Sequence, residues 1–513
     1  MINSIIIPSA ISRRYYYFNI WMVTVMSNIV DSKKGIPSVE VILWWVIRTV
    51  LAVGIFTAAT TPKKLMVLGA LLSTFIVSAA KKIFAKTEFF SDLSYRLQTC
   101  ICLVALFGSG IGFGFGVFQL FPEYDVPLSL FGGMVGTAIG YYISIAFRKP
   151  FTRKGFNYTA IMSFCISNSF VIFKEVTQFW IDFYTGSTLV GCVNVSDDHW
   201  LIKLVGPMLS LPEHRVLYDF SEDVTLTVVG TIIATAVLYI RLIIKNREVF
   251  AINKNAGNQL KELFSNFPAR CKEKIALEIK KVREQTNICD ILLWWCTRIV
   301  VLYAVITFEN RAEATLLLVV SLGTVAITAL HLVTPRDSMF CKINYRVQSL
   351  LCIIVFLGSY CGNYVGVYAY AARFDTFLHF SSGFLGFFAG YYIAQTLVKP
   401  DNRKQQLSLC LFALAFAMTI IPIHEMTELI GDYIWGTTNQ GFMWEPEPDK
   451  MIYVIFGRGK DDPLLVKIFD TMYDMILASM SSIISFVIMQ IKFSKESKKI
   501  GNKTVTEKQA VTC

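Results

Sequence analysis

Apolar stretches of about twenty residues, long enough to cross a bilayer as helices, recur along this chain and set the limits of its fold. Of its 513 residues 54% are hydrophobic and only 17% charged, against roughly a quarter charged in a soluble domain. The expectation is an all-α polytopic membrane protein. Spans are placed at about 41–60, 65–82, 97–119, 127–147, 157–182 and 223–244, and then at about 291–308, 314–334, 347–371, 376–397, 406–431 and 472–491. That is about twelve transmembrane helices.

The two sets of spans read as one unit written twice. Trp44, Trp45 and Arg48 recur as Trp294, Trp295 and Arg298, an offset of 250 residues. Tyr95-Arg96-Leu97-Gln98 returns as Tyr345-Arg346-Val347-Gln348, and Gly108, Gly112 and Gly116 as Gly358, Gly362 and Gly366. Tyr141-Tyr142-Ile143 and Lys149-Pro150 return as Tyr391-Tyr392-Ile393 and Lys399-Pro400. The expected organisation is a first membrane repeat over 40–244 and a second over 290–491. Each has an even number of spans, so the two six-helix repeats are parallel in topology. Residues 1–39 form a cytoplasmic or interfacial segment; Tyr15 to Met26 is short for a span and lacks the cleavage site of a secretory signal. Residues 245–289 are basic, with Leu260, Leu263, Phe264, Ile275, Leu277 and Ile279 marking an amphipathic cytoplasmic linker, and 492–513 is a lysine-rich tail.

Basic residues crowd alternate loops: Lys81, Lys82, Lys86 and Arg96, then Arg148, Lys149, Arg153 and Lys154, then Arg241, Lys245 and Arg247. Retention of basic loops inside places both termini in the cytoplasm, with Lys63 and Lys64 a minor violation. The net charge of +11 is accounted for in this way and calls for no nucleic-acid partner. The two long outer loops, about 186–218 and 436–469, are expected to fold as lids. Twelve cysteines lie mostly within spans as buried thiols. No P-loop, dinucleotide fingerprint, Gly-x-Ser-x-Gly elbow or HExxH is present.

Chemistry concentrates in the second repeat. Asp375 and His379 stand four residues apart on one helical face at the mouth of a span. Gly383, Gly386 and Gly390 continue roughly that stripe and admit a close neighbour. Glu425, Glu428 and Asp432 follow at i, i+3 and i+7 on the next span, and Asp470 and Asp474 at i, i+4 open the last. The topology brings all three stretches to one end of the membrane, on the outer side. Carboxylates buried together need cations, protons or arginines. The candidate catalytic group is His379, Glu425, Glu428 and Asp474 with Asp375 orienting the imidazole. His379, Glu428, Asp470 and Asp474 are candidate ligands of a divalent metal.

The pattern Asp375-x3-His379-Phe380-x2-Gly383, then Glu425-x2-Glu428, then Asp470-x3-Asp474, resembles that of the YjdF-type bacterial integral membrane proteins. It is more distantly similar to the VanZ-like family. The resemblance covers 290–491 well and 40–244 as a diverged copy. It implies a multi-pass protein of the bacterial cell membrane, and its VanZ side points loosely to glycopeptide resistance of the envelope.

The copies diverge where the chemistry is expected. Against Asp375 and His379 the first repeat has Asp125 and Ser129. Against Glu425, Glu428 and Asp432 it has Glu175, Gln178 and Asp182. Against Asp470 and Asp474 it has Asp219 and Asp223, after one inserted residue. Three readings follow: an acid/histidine site acting on a membrane lipid or lipid-linked envelope substrate, a proton- or cation-coupled transporter, or a non-catalytic assembly protein. The bland alternative is a structural charge network, with Arg298 and Arg346 as candidate partners of the acids and the Trp pairs as interfacial anchors.

Overall fold

The computed structural model describes residues 38–121, 124–147, 152–185, 215–245, 267–334, 340–371, 373–400, 402–435 and 463–511. The N-terminal segment and the two long outer loops expected as lids lie mostly outside these residues, as does the first half of the linker. All the regular structure among the described residues is helical. The chain divides into two compact units, one ending at Val117 and one starting at Phe118.

The first unit holds α1 (Ser38–Thr57), α2 (Thr61–Ser73), α3 (Ile76–Ile83) and α4 (Arg96–Val104). α2 opens with Pro62 in its first turn, where a missing N–H leaves no bond unmade. α2 and α3 are apolar enough to cross together but are bent by 47°. A break in a span frees backbone groups that lipid cannot satisfy, so side chains must. Arg48 supplies Nη2 to the Thr74 carbonyl at 2.9 Å and Nε to its hydroxyl at 3.1 Å. The Gln98 carbonyl accepts from the Ser78 N–H at 3.0 Å and its hydroxyl at 2.6 Å. Trp44 Nε1 donates to Thr99 Oγ1 at 2.9 Å. The recurrent Trp, Arg and Gln of the sequence therefore stitch a broken span together.

α4 runs on into a ten-residue π-helix, Ala105–Gly114, and Gly116 closes it at φ 71°. The wide π turn changes which glycines pack. Gly110 and Gly114 face Leu51 and Gly54 on α1, while a Cβ on Gly108 would meet nothing.

The second unit begins with α5 (Asp125–Phe147), α6 (Arg153–Thr185) and α7 (Arg215–Lys245), followed by the linker helix α8 (Phe267–Gln285). Then come α9 (Ile288–Thr307), α10 (Arg311–Ser321), α11 (Ala326–Val333), α12 (Arg346–Ile354), α13 (Phe374–Leu397), α14 (Arg403–Trp435) and α15 (Pro463–Val511). Asn287 and Asp290 form a capping box that starts α9. The stitching repeats: Trp294 donates to Ser349 at 2.9 Å, Arg298 to the Thr324 carbonyl at 2.6 Å, and Gln348 accepts from the Thr328 N–H at 3.1 Å. A second π-helix, Val355–Tyr364, follows α12, and Gly366 closes it at φ 76°. Trp44 and Trp294 are buried hydrogen-bonding residues; only Trp45 and Trp295 are exposed as interfacial anchors should be.

α8 carries its inward face on Glu278, which accepts from Tyr345 at 3.0 Å, lies 2.9 Å from His331 Nδ1 and pairs with Lys281 at 2.7 Å. Ile275, Leu277 and Ile279 stay exposed on it.

The heart of the unit is α5 to α7 and α13 to α15. In lipid, association relies on close packing of small residues. A Cβ on Gly133 would strike the Thr227 carbonyl, one on Gly230 the Leu130 carbonyl, and one on Gly383 the Ala478 carbonyl and Ser481 hydroxyl. The same contacts set direction: 129 and 133 meet 223 and 227, so α5 and α7 run parallel, whereas 136 and 140 meet 167 and 163, so α6 opposes them. α13, α14 and α15 repeat the arrangement. α6 and α14 cross at Tyr158, whose hydroxyl bonds Ser408 at 2.6 Å and whose ring stacks on Phe412.

Ten described helices are long and apolar enough to span a membrane, or eleven with the bent pair α2–α3. α13 is not among them despite its 24 residues, because Asp, His, Gly, Ser and Tyr dilute it.

Candidate functional site

His379 lies in the second turn of α13, 5% exposed. Its Nε2 is 3.4 Å from Asp375 Oδ1 and 3.5 Å from Asp474 Oδ2. Its Nδ1 is 3.9 Å from Glu425 Oε1. One imidazole thus sits among carboxylates of α13, α14 and α15, because Gly383 lets α15 close onto α13 one turn below. Glu425 and Asp474 are as buried as the histidine, at 2% and 4%. Burying acids this fully requires a positive partner.

Of the residues expected from the sequence, Asp375, His379, Glu425 and Asp474 converge around one point. Glu428 stands at the rim and contacts a residue the sequence reading passed over: His424, whose Nε2 is 3.3 Å from Glu428 Oε1. The His379 and His424 rings lie 5.8 Å apart. The side chains of Asp470 and Asp432 lie outside the described residues, so the place of Asp470 in the ligand set is not described. Two donor groups have ligand atoms within 4.8 Å of one another: Asp375, His379 and Asp474, and His379, His424 and Glu428. Nitrogen and carboxylate donors in this number suit a hard or borderline divalent cation.

Tyr368, on the short turn Val367–Tyr370, lies near enough to Asp375, Glu428 and Asp474 to feel their charge. Gly362 in the π-helix has no side chain because the Tyr368 ring occupies that space.

The arginines expected to neutralise the acids do something else. Arg298 is spent on the Thr324 carbonyl and the Trp294 and Trp295 rings, and Arg346 on the Tyr392 hydroxyl.

At the positions 250 residues earlier the side chains pair among themselves. Ser129 donates to Asp223 Oδ1, and Lys174 makes a short ion pair with Asp223 Oδ2. The Lys174 ammonium is 3.4 Å from Glu175 Oε1 and also feels the Asp125 charge. His424 lies 250 residues on from Lys174, at the same offset as the recurrent residues of the sequence. The sequence carried this signal: positions 174 and 424 are both basic, but they are hidden among acids that attract attention first.

No curated protein and no solved structure matches the chain. Residues 291–495, which contain every residue of the histidine cluster, match the family model described as predicted membrane protein (DUF2238).

Proposed function

We propose that the cluster around His379 is a divalent-cation site in a multi-pass bacterial cell-membrane protein, acting on a lipid or lipid-linked envelope substrate at the extracytoplasmic leaflet. The observation that carries this is the burial of His379 among Asp375, Glu425 and Asp474, with ligand atoms of Asp375, His379 and Asp474 within 4.8 Å of one another. Asp375, His379 and Asp474 would hold the cation, whose chemistry there would be Lewis-acid polarisation of a headgroup oxygen. The more exposed His424–Glu428 pair at the rim moves protons.

The same reading takes the chain as two parallel six-helix repeats, with about twelve spans and both termini cytoplasmic. Supporting it are the paired π-helices, the paired left-handed glycines and the paired stitching at one offset. Counting α13 with the ten apolar helices and the bent pair gives the full set of spans. The YjdF-type motif falls on the same three helices. Position at the ends of α13 and α14, rather than mid-span, favours a surface-facing substrate over a transported one.

The test is the metal content of detergent-purified protein, by elemental analysis after dialysis against Mn2+ or Zn2+, alongside rescue of a deletion strain. The parent should hold one equivalent. His379→Ser with Glu428→Gln should stay monodisperse, lose the metal and fail to rescue. Full rescue by that variant sinks the reading.

A further inference from the structure

The linker helix α8 lies against the bundle with one stripe engaged and a groove left open beside it. Glu278 ties it to His331 of α11 and to Tyr345, and Lys274 donates to the carbonyls of Leu332 and Thr334 at 2.6 and 2.8 Å. Alongside these bonds α8, α9 and α11 border a cavity of about 330 Å³. Ile275, Ile279 and Val282 of α8, Ile291 of α9 and Leu332 of α11 form its apolar wall, and Arg283 also lines it. Glu278 reaches the same space, but its carboxylate is engaged by Lys281, His331 and Tyr345. We propose that this groove holds one acyl chain of an anionic phospholipid, with Arg283 on the phosphate.

The surroundings say what fills the groove. α9 and the span Glu313–Val333 follow one another as a hairpin, which brings the start of α9 and the end of α11 to the same end of the pair. α8 packs there. Around it Ile275 and Ile279 of α8, Ile288 and Leu292 of α9, and Leu332 and Val333 of α11 are all exposed. On helices of this length and apolarity, such a surface is the one a bilayer covers. An acyl chain can therefore enter the groove from the leaflet without crossing water. The apolar wall accepts any chain, so the choice of headgroup falls to charge. Lys274 is spent on carbonyls, Lys281 on Glu278, and Lys280 stands 3.9 Å from Glu284. Arg283 is exposed and has no such partner among the described residues. Its planar fork matches two phosphate oxygens at once, which a neutral wall cannot do. An amphipathic helix with isoleucines toward the chains and an arginine at headgroup level suits an anionic leaflet lipid. One bound lipid would also help to hold α8 against α9 and α11.

The test uses full-length protein purified in detergent and supplied with phosphatidylglycerol, phosphatidylcholine or both. Native mass spectrometry reads the retained lipid, and melting reads its effect on Tm. The parent should keep one phosphatidylglycerol per chain against an excess of phosphatidylcholine. Arg283→Gln should weaken that retention about tenfold, the size of one charge-assisted bond. Ile279→Trp, which fills the groove, should abolish both the retention and the rise in Tm. Lys86→Gln removes an equal charge at another exposed position and should behave as the parent does. Equal weakening by Lys86→Gln and Arg283→Gln would reduce the effect to diffuse charge and overturn the inference. Equal retention of the two lipids by the parent, or parental retention in Ile279→Trp, would overturn it too. If Ile279→Trp is not monodisperse, Arg283→Gln decides, because it changes an exposed side chain and leaves the packing alone. Parental retention in that variant then overturns the inference, and a tenfold loss beside an unaffected Lys86→Gln supports it.

Discussion

Three histidines fall among the described residues, all between positions 290 and 491, and each has a fixed group 250 residues earlier: Lys81 for His331, Ser129 for His379 and Lys174 for His424. Lys81 donates to the carbonyls of Ser91 and Leu93 at 2.7 Å, where His331 instead pairs with Glu278 of the linker helix. Lys174 closes the Asp223 cluster, whereas His379 stands beside Asp474. Residues 40–244 thus hold fixed groups and local carbonyl bonds at positions where residues 290–491 hold imidazoles, which can gain or lose a proton.

The sharpest way to break the comparison is to remove the fixed charge. Lys174→Met leaves Asp223 and Glu175 buried beside each other without a cation, and should cost about 3–5 kcal/mol, seen as loss of monodisperse protein or a large fall in Tm. His424→Met, at an exposed rim position, should cost only about 0.5 kcal/mol. Equal losses would mean that Lys174 is no more of a fixture than His424.

Helix closure comes next. Gly383→Ala forces a methyl against the Ala478 carbonyl, pushes α15 from α13 and should cost about 1–3 kcal/mol while lowering metal content. Gly386→Ala meets Ala417 at an ordinary 3.5 Å and should pass unnoticed in both measurements. A smaller pair of changes asks whether the outer helices are equivalent. Gly116→Ala and Gly366→Ala each place a side chain at positive φ and should each lower stability by about 1–2 kcal/mol, to a similar extent.

The least effect belongs to Glu278. Burial opposes its charge, but bonds from Lys281, His331 and Tyr345 outweigh it and hold the carboxyl below its usual range. A depressed carboxylate adds stability that is complete above the unfolded value, near about pH 4.3, and lost as pH falls through the folded one. Glu278→Gln should remove about 1 kcal/mol at neutral pH and flatten the fall in Tm between about pH 5 and 3. A melt whose acid limb is unchanged by the substitution would detach α8 from His331.

Much of this was legible in the sequence for physical reasons. Spans announce themselves by length and apolarity, and the 250-residue offset exposes every recurrent side chain. Asp375, His379, Glu425 and Asp474 could be gathered because their ends of the helices had to coincide. What escaped depended on backbone detail. The π turns after α4 and α12 leave no mark in the recurrent glycines, so nothing in the sequence tells that Gly110 and Gly114, rather than Gly108, pack against α1. Arg298 looked like a counter-ion because the bend that consumes it, at Thr324, has no sequence signature of its own. Lys174 went unread because a lysine near the end of a span is ordinarily a snorkelling residue, and only its reach to Asp223 shows otherwise.

The crossing of α6 and α14 has a consequence for the choice of side chains where they meet. Tyr158 and Ser408 are counterparts at the 250-residue offset, so here a position faces itself, as residues on the axis of a symmetric dimer do. Two identical chains would have to place two tyrosines or two serines there, one pair colliding and the other leaving a void. A large ring against a small hydroxyl is a solution open only to unlike partners.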